Sequence, residues 1–311
     1  MFCAAWKAYG DVNVLNGTSV VLSVGNFDGV HVGHKHLLSS LRDLAAGMPT
    51  VVMTFDPHPR SLFLPEMKGK LLCTVEDRVR EMLNFGIDVV LVQSFSKEFS
   101  QISADEFVAF LIQDLPLKRV LLGFDFRFGH DRSGDFALMH SKGLEHGFEV
   151  FQESVYMQED CIVSSSEIRR LIALGDMQKA KRFLSRSYSV SGLVVRGDQR
   201  GRLLGYPTVN LGDYDVDMML PLPGVYAGYV EFDEDGVRRP AVMSFGVRPT
   251  FGSNLEYRAE AHVFDFSADV YGRRVRFYVE HRLRGEEKFA DVGSLKAQMA
   301  LDSSRARQLL S

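Results

Sequence analysis

Residues 25–34 read Gly25-Asn26-Phe27-Asp28-Gly29-Val30-His31-Val32-Gly33-His34. Residues 19–24 before them are a short Val-rich apolar run, and in residues 35–46 after them Leu37, Leu38, Leu41 and Leu44 recur at helical spacing. The segment therefore reads as a strand, a glycine-rich turn and a helix. Such a turn aims backbone N–H groups and the positive end of a helix dipole at one spot, which suits a phosphate. Gly25, Gly29 and Gly33 let the main chain come close, and two imidazoles three residues apart reach one anion from the loop and the first helical turn. The turn holds no nucleophile, so the chemistry expected is direct displacement at phosphorus.

Working outward, strand-like and helix-like segments alternate as far as residue 152. Strands are expected at 50–55, 88–93, 119–124 and 148–152, and helices at 75–85, 104–113 and 135–146. Thr74 with Asp77 and Ser103 with Glu106 are capping-box pairs that mark two helix starts. This alternation predicts a doubly wound parallel sheet, in which ligands lie beyond the carboxyl ends of the strands.

Loops that follow strands accordingly carry the functional reading. After Phe55 comes Asp56-Pro57-His58-Pro59, where two prolines are expected to hold a rigid, extended loop. After Leu122 comes Gly123-Phe124-Asp125-Phe126-Arg127-Phe128-Gly129, whose alternating phenylalanines fit one strand face packed into core or, among Gly123, Gly129 and Gly134, a shaped loop with aromatic faces for stacking a planar ring. Ser164-Ser165-Ser166-Glu167-Ile168-Arg169 opens a further helix. Its serines are natural N-caps, whereas Arg169 in the first turn opposes the dipole and is better placed to grip an anion.

Near residue 185 the pattern changes. Short strands at 189–196, 224–232, 239–245, 258–264 and 274–283 alternate with Gly- and Pro-containing turns, which predicts a small antiparallel barrel, with a helix at 294–310 packed on it. Two domains are therefore expected, 1–185 and 186–311.

Composition bounds the function. The 311 residues are 46% apolar, enough to bury a sizeable core, and a net charge of -4 with dispersed basic residues gives no footprint for nucleic acid. Cys3, Cys73 and Cys161, odd in number and widely spaced, form neither a disulfide framework nor a thiolate metal site. No signal-peptide pattern and no run near ~18 apolar residues is present, so a cytoplasmic protein without a membrane partner is expected. Nothing in the sequence speaks to oligomeric state.

The spacing His31-Val-Gly-His34 after a strand resembles the His-x-Gly-His signature of the nucleotidyltransferase superfamily. Together, the four N-terminal stretches resemble the adenylyltransferase half of the prokaryotic bifunctional riboflavin kinase/FAD synthetase family. That family shows Gly-x-Phe-Asp-Gly-x-His-x-Gly-His, Thr-Phe-x-Pro-His-Pro, Gly-x-(Asn or Asp)-Phe-x-Phe-Gly and Ser-Ser-(Thr or Ser)-x-x-Arg, in this order; Glu167 stands where many members carry Arg. The resemblance implies His31, His34 and Arg169 as catalytic residues. It implies ATP binding by Gly25, Asn26, Phe27, Asp28, Gly29, Ser164 and Ser165, and flavin binding by Phe55, Pro57, His58, Pro59, Asp125 and Phe128.

Residues 192–211 are glycine-rich and basic but lack the Lys-Ser/Thr of a P-loop. They resemble the flavokinase signature Gly-x-Val-x-x-Gly-x-x-x-Gly-Arg-x-Leu-Gly-(Phe or Tyr)-Pro-Thr-x-Asn, with Val209 for a common Ala. The run Phe245-Gly246-Val247-Arg248-Pro249-Thr250-Phe251, followed by Glu260 and His262, resembles a second family motif, with Ser244 for a common Asn before it. Read alone, Glu260 is a solvated strand carboxylate. The resemblance instead makes it the base that activates the riboflavin 5'-hydroxyl for attack on the γ-phosphate of ATP. It further implies Thr208 and Asn210 as Mg2+ ligands, and Gly192, Gly197, Gly201, Arg202, Gly205, Pro207 and Arg248 around ATP and flavin. The implied chemistry is riboflavin to FMN and FMN to FAD, with ATP and Mg2+ required in both. The rivals are an FAD synthetase with a degenerate, flavin-binding kinase domain, for which Ser244 is the hint, and a non-catalytic flavin sensor.

Overall fold

The computed structural model describes residues 6–197, 200–249 and 255–311. They pack as two compact units: residues up to 68 with 74–165, and 69–73 with 166–311.

The first unit is built on a six-stranded sheet in the order β1-β4-β3-β2-β5-β6, comprising β1 (Trp6–Gly10), β2 (Val20–Val24), β3 (Thr50–Asp56), β4 (Val89–Ser94), β5 (Leu117–Leu122) and β6 (Glu149–Gln152). The five strands from β4 to β6 run parallel. The edge strand β1 pairs antiparallel with β4, from Trp6 opposite Gln93 to Gly10 opposite Val89, and has no counterpart in the sequence reading. The helices are α1 (Val32–Ala45), the short α2 (Pro59–Phe63), α3 (Val75–Asn84), α4 (Ala104–Asp114) and α5 (Phe136–His146).

Because strand side chains alternate, the sheet has two apolar faces, and helices cover both. Val20, Leu22, Met53, Leu91, Val120 and Leu122 pack with Phe107, Leu111 and Met139 from α4 and α5. Val21, Val52, Val90 and Leu121 pack with Leu38 and Leu41 of α1 and Val79 and Met82 of α3. This is the doubly wound arrangement expected. Thr74 and Ser103 cap their helices as expected, the latter in a full capping box with Glu106. The strand expected through Phe124 stops at Leu122, where a turn bonding Phe126 N to the Gly123 carbonyl ends the ladder. A small hairpin, β7 (Met157–Gln158) with β8 (Cys161–Ile162), precedes α6 (Ser165–Leu174), which runs from the last residue of this unit into the next.

In the second unit β9 (Tyr188–Val195), β10 (Val209–Gly212), β11 (Gly224–Phe232), β12 (Arg239–Pro249), β13 (Leu255–Val263) and β14 (Arg274–Arg284) close an antiparallel barrel in the order β10-β13-β12-β11-β14-β9. The unit also holds α7 (Met177–Leu184), a short α8 (Arg200–Leu204) and α9 (Val292–Leu310). As expected, α9 packs on the barrel, with Ala306 against Val225, Ala227, Phe264 and Leu283. Its Arg307 clamps Asp265 and lies 4.2 Å over the Phe264 ring. Helix α7 is tied to β14: Lys181 Nζ reaches Glu280 Oε2 at 2.7 Å and Gln178 donates to the Glu280 carbonyl. The change of pattern at 185 and the division of packing at 165 thus differ by α6 and α7.

Candidate active sites

The turn between β2 and α1 is shaped by its own backbone. Phe27 and Val30 adopt positive φ (49° and 38°) and Gly29 sits at 86°, so the chain folds back within four residues before helix α1 starts. His31 is 4% exposed and is the N-cap of α1: its Nδ1 accepts from His34 N at 3.2 Å. An imidazole nitrogen that accepts carries no proton, so a neutral His31 bears its proton on Nε2, the tautomer that donates to an anion. His34 stacks on His31, with centroids 3.6 Å apart and planes 14° from parallel, and Phe27 meets His34 edge-on at 5.2 Å. Gly33 makes the stack possible. A Cβ there would lie 3.2 Å from His31 Cε1 and Nδ1 and 3.2 Å from the Val163 carbonyl.

Residues of two other motifs, Ser165 and Thr54, bond to this turn at the carboxyl edge of the sheet. Ser165 Oγ donates to the Asp28 carbonyl at 2.8 Å, and Asp28 is 1% exposed. Thr54 Oγ1 donates to the Asn26 carbonyl at 3.0 Å, tying the end of β3 to the turn. A Cβ at Gly123 would lie 3.6 Å from Leu37 Cδ1 of α1, so the aromatic loop starts alongside that helix, with Phe124 and Asp125 exposed. Arg169 lies in α6, where its Nε donates to the Lys70 carbonyl at 2.7 Å.

Two rings of the implied flavin side are packed, and one expectation, the extended loop at 56–59, needs correction. The Phe55 ring is 7% exposed and packs against Phe95 and Phe99, because its place on β3 points it into the core. Phe128 is likewise a core residue, 5% exposed and packed on Phe107 and Phe126, held there by an isolated bridge to Gly134. Residues 56–59 are not an extended loop. Asp56-Pro57 is cis, His58 is a buried N-cap whose Nδ1 accepts from Arg60 N, and Pro59 begins α2, where its lack of an N–H costs nothing.

In the barrel, β10 and β13 pair so that Asn210 stands opposite Glu260. Thr208 Oγ1, just ahead of β10, donates to Glu260 Oε2 at 3.3 Å, and Asn210 Nδ2 donates to the Thr208 carbonyl at 3.4 Å. Gly197 lies against Asn210, so near that a Cβ would come 2.3 Å from Oδ1. On the other side β12 places Ser244 opposite Glu260. Paired residues share a sheet face, so Asn210, Glu260 and Ser244 form a row across three strands. His262 Nδ1 contacts the Pro207 carbonyl at 2.9 Å and fixes the approach to Thr208. Gly201, Gly205 and Tyr206 close the preceding loop, with Tyr206 N donating to the Gly201 carbonyl, and Gly192 lies on β9 against the Gly212 carbonyl. The side chains of Arg202 and Arg248, and all of Thr250 and Phe251, lie outside the described residues.

Residues 15–167 match the family model for FAD synthetase and residues 184–310 that for riboflavin kinase. A bifunctional riboflavin kinase/FMN adenylyltransferase of Escherichia coli is 35% identical over 292 residues, 93% of this chain and 92% of that one. The chain belongs to the bifunctional riboflavin kinase/FMN adenylyltransferase family. A relative of the same name from Pseudomonas fluorescens is 36% identical over 93% of this chain and 92% of its own. A solved structure from Streptococcus pneumoniae, described as a macrolide-efflux protein, is 31% identical with TM-score 0.85, covering 93% of this chain and 94% of its own. Among the described residues no helix is long and apolar enough to cross a membrane.

Two supports of the turn stand outside the residues named from the sequence: Thr54, bonded to the Asn26 carbonyl, and Arg78, bonded to Thr54. Thr54 stood inside a quoted motif and, as a polar residue in an apolar strand, was a usable signal. Arg78 lies on α3 and looks like any solvated helix cation until the fold buries it.

Proposed function

We propose that the chain makes FAD from riboflavin in two steps, residues 186–311 phosphorylating riboflavin to FMN and residues 1–185 adenylylating FMN with release of pyrophosphate. Two reactive constellations in one chain support this reading, the stacked His31/His34 pair beside Ser165 and the Thr208/Asn210/Glu260 set. In the first, His31 Nε2–H and His34 stabilise charge that develops on the α-phosphoryl group as the FMN phosphate attacks it. The turn 25–29 and the serines 164 and 165 hold the nucleotide, and Arg169 contributes a cation toward its phosphates. Phe55, Pro57, His58, Pro59, Asp125 and Phe128 bound the flavin side.

In the second, Glu260 takes the proton of the riboflavin 5'-hydroxyl, and Thr208 orients the carboxylate through its hydroxyl. The donor set fits Mg2+. Among the described residues no three His, Cys, Asp or Glu side chains cluster as a cage, whereas the Thr208 hydroxyl and the Asn210 amide oxygen are hard neutral oxygens that leave room for phosphates and water. Bound there, Mg2+ would neutralise charge on the ATP phosphates. Gly192, Gly197, Gly201, Arg202, Gly205, Pro207 and Arg248 frame the substrates. A cytoplasmic setting, with ATP at hand, suits both reactions.

Incubating the protein with riboflavin, ATP and Mg2+ and separating the flavins tests the reading: FMN and FAD both form. FAD only when FMN is supplied would mean a degenerate kinase, and no conversion at all would mean a flavin-binding protein without catalysis.

A further inference from the structure

A fully buried arginine lies under the N-terminal centre. Arg78, on α3, is 1% exposed. Its Nη1 donates to Thr54 Oγ1 at 2.9 Å and to the Phe55 carbonyl at 3.1 Å. Both acceptors are neutral, and among the described residues no carboxylate pairs with this guanidinium. Burying an unpaired cation is expensive, and two hydrogen bonds to neutral oxygens offset only part of that cost. A helix position needing only core packing would hold an aliphatic side chain at no such penalty.

The two acceptors explain what the cation does. Thr54 passes the contact on, donating its own hydroxyl proton to the Asn26 carbonyl at 3.0 Å. Asn26 enters the turn with positive φ at Phe27 and Val30, a conformation that persists only where its surroundings over-determine it. The Phe55 carbonyl is the last before the residues 56–59 that lead to His58 and α2. One guanidinium nitrogen therefore fastens both the nucleotide turn and the flavin loop.

We propose that Arg78 is a positioning residue of the adenylyltransferase centre, setting the separation of the nucleotide turn and the flavin loop through Thr54 and the Phe55 carbonyl. The inference rests on assigning adenylyl transfer to this edge of the sheet. Its consequence is kinetic: FMN and ATP each still find their own loop, but the attacking phosphate and the α-phosphorus are no longer held at reacting distance. A misplacement of about 1 Å costs on the order of 100-fold in turnover.

The test uses the full-length protein, with the far-UV circular dichroism spectrum and thermal unfolding profile as the report that the N-terminal unit is folded. R78M is expected to lower kcat for FMN adenylylation by about 30- to 100-fold, with KM for ATP and FMN changing less than about 3-fold and riboflavin phosphorylation unchanged. R78K, which keeps one buried donor, recovers most of the rate. T54V loses the relay and T54S keeps it, and R78M/T54V is no worse than R78M, because both changes break one chain of contacts. Wild-type kcat in R78M, or losses that multiply in the double variant, overturn the proposal. If R78M does not fold, equal rates for T54V and T54S overturn it. His34→Ala separates the underlying reading: an active H34A sinks the assignment of the site, whereas an inactive H34A beside a fully active R78M sinks only the role of Arg78.

Discussion

Thr208 and Glu260 are joined across 3.3 Å, the threonine hydroxyl donating to the carboxylate that faces Asn210 on the neighbouring strand. The bond orients Glu260 and occupies one of its oxygens; in the proposed role as base, the other takes the substrate proton. A carboxylate so placed acts as a base, whereas an amide of the same shape only orients. Glu260→Gln should lower conversion of riboflavin to FMN by ~100- to 10,000-fold with little change in riboflavin binding. Conversion of supplied FMN to FAD should stay at wild-type rate, which a coupled flavin separation reads directly. Wild-type rates for both steps would return Glu260 to the role of a solvated strand residue.

His34 lies flat on His31 and edge-on to Phe27, so removing its ring takes away the proposed hydrogen-bond donor to phosphate without disturbing the Nδ1 cap that His31 makes to the backbone. His34→Ala should reduce FAD formation by at least ~100-fold while FMN formation is unchanged, the scale of losing one preorganised donor. A steady-state assay of each step checks both halves of the expectation.

Helix α7 belongs by packing to the barrel. Met177, Phe183 and Leu184 are buried, and Lys181 and Gln178 reach Glu280 on β14. A fragment from residue 166 should fold and phosphorylate riboflavin. One from residue 185 loses about 1.5–3 kcal/mol for each large apolar side chain deleted, and leaves the 5%-exposed Glu280 without its lysine. Its thermal midpoint should fall clearly below that of the longer fragment. Equal midpoints would mean that α7 adds nothing to the barrel.

Asp265 is held below the usual carboxylate range by hydrogen bonds from Arg307 on α9. A lowered folded-state pKa means that the clamp contributes its full stability above the ordinary Asp pKa. That contribution is lost as pH falls through the lower folded value. Asp265→Asn should therefore lower the thermal midpoint slightly at neutral pH, and the difference should close in acid. The pair is surface-exposed, so high salt should shrink the difference as well.

Much of this protein is determined locally and is legible in the chain itself. Alternation of period 2 and period 3.6 specified a parallel sheet with helices on both faces, because each element must bury one apolar side. The loss of helical spacing after residue 185 specified an antiparallel barrel. Glycines, prolines and histidines at fixed offsets marked the loops proposed to carry chemistry, since turn geometry depends on residues a few positions apart.

Tertiary structure decided whatever depends on partners distant in sequence. Edge strand β1 exists because β4 offers unpaired backbone groups, and nothing in residues 6–10 announces that. The rings of Phe55 and Phe128 each point to whichever side the strand or bridge imposes, and that side is core. The His31 tautomer follows from a bond to the His34 amide, which only a formed helix end provides. Arg78 is the clearest case. A helix cation 24 residues from Thr54 becomes a support for two loops only when α3 is laid on the sheet, because burial, not residue type, gives its hydrogen bonds their strength.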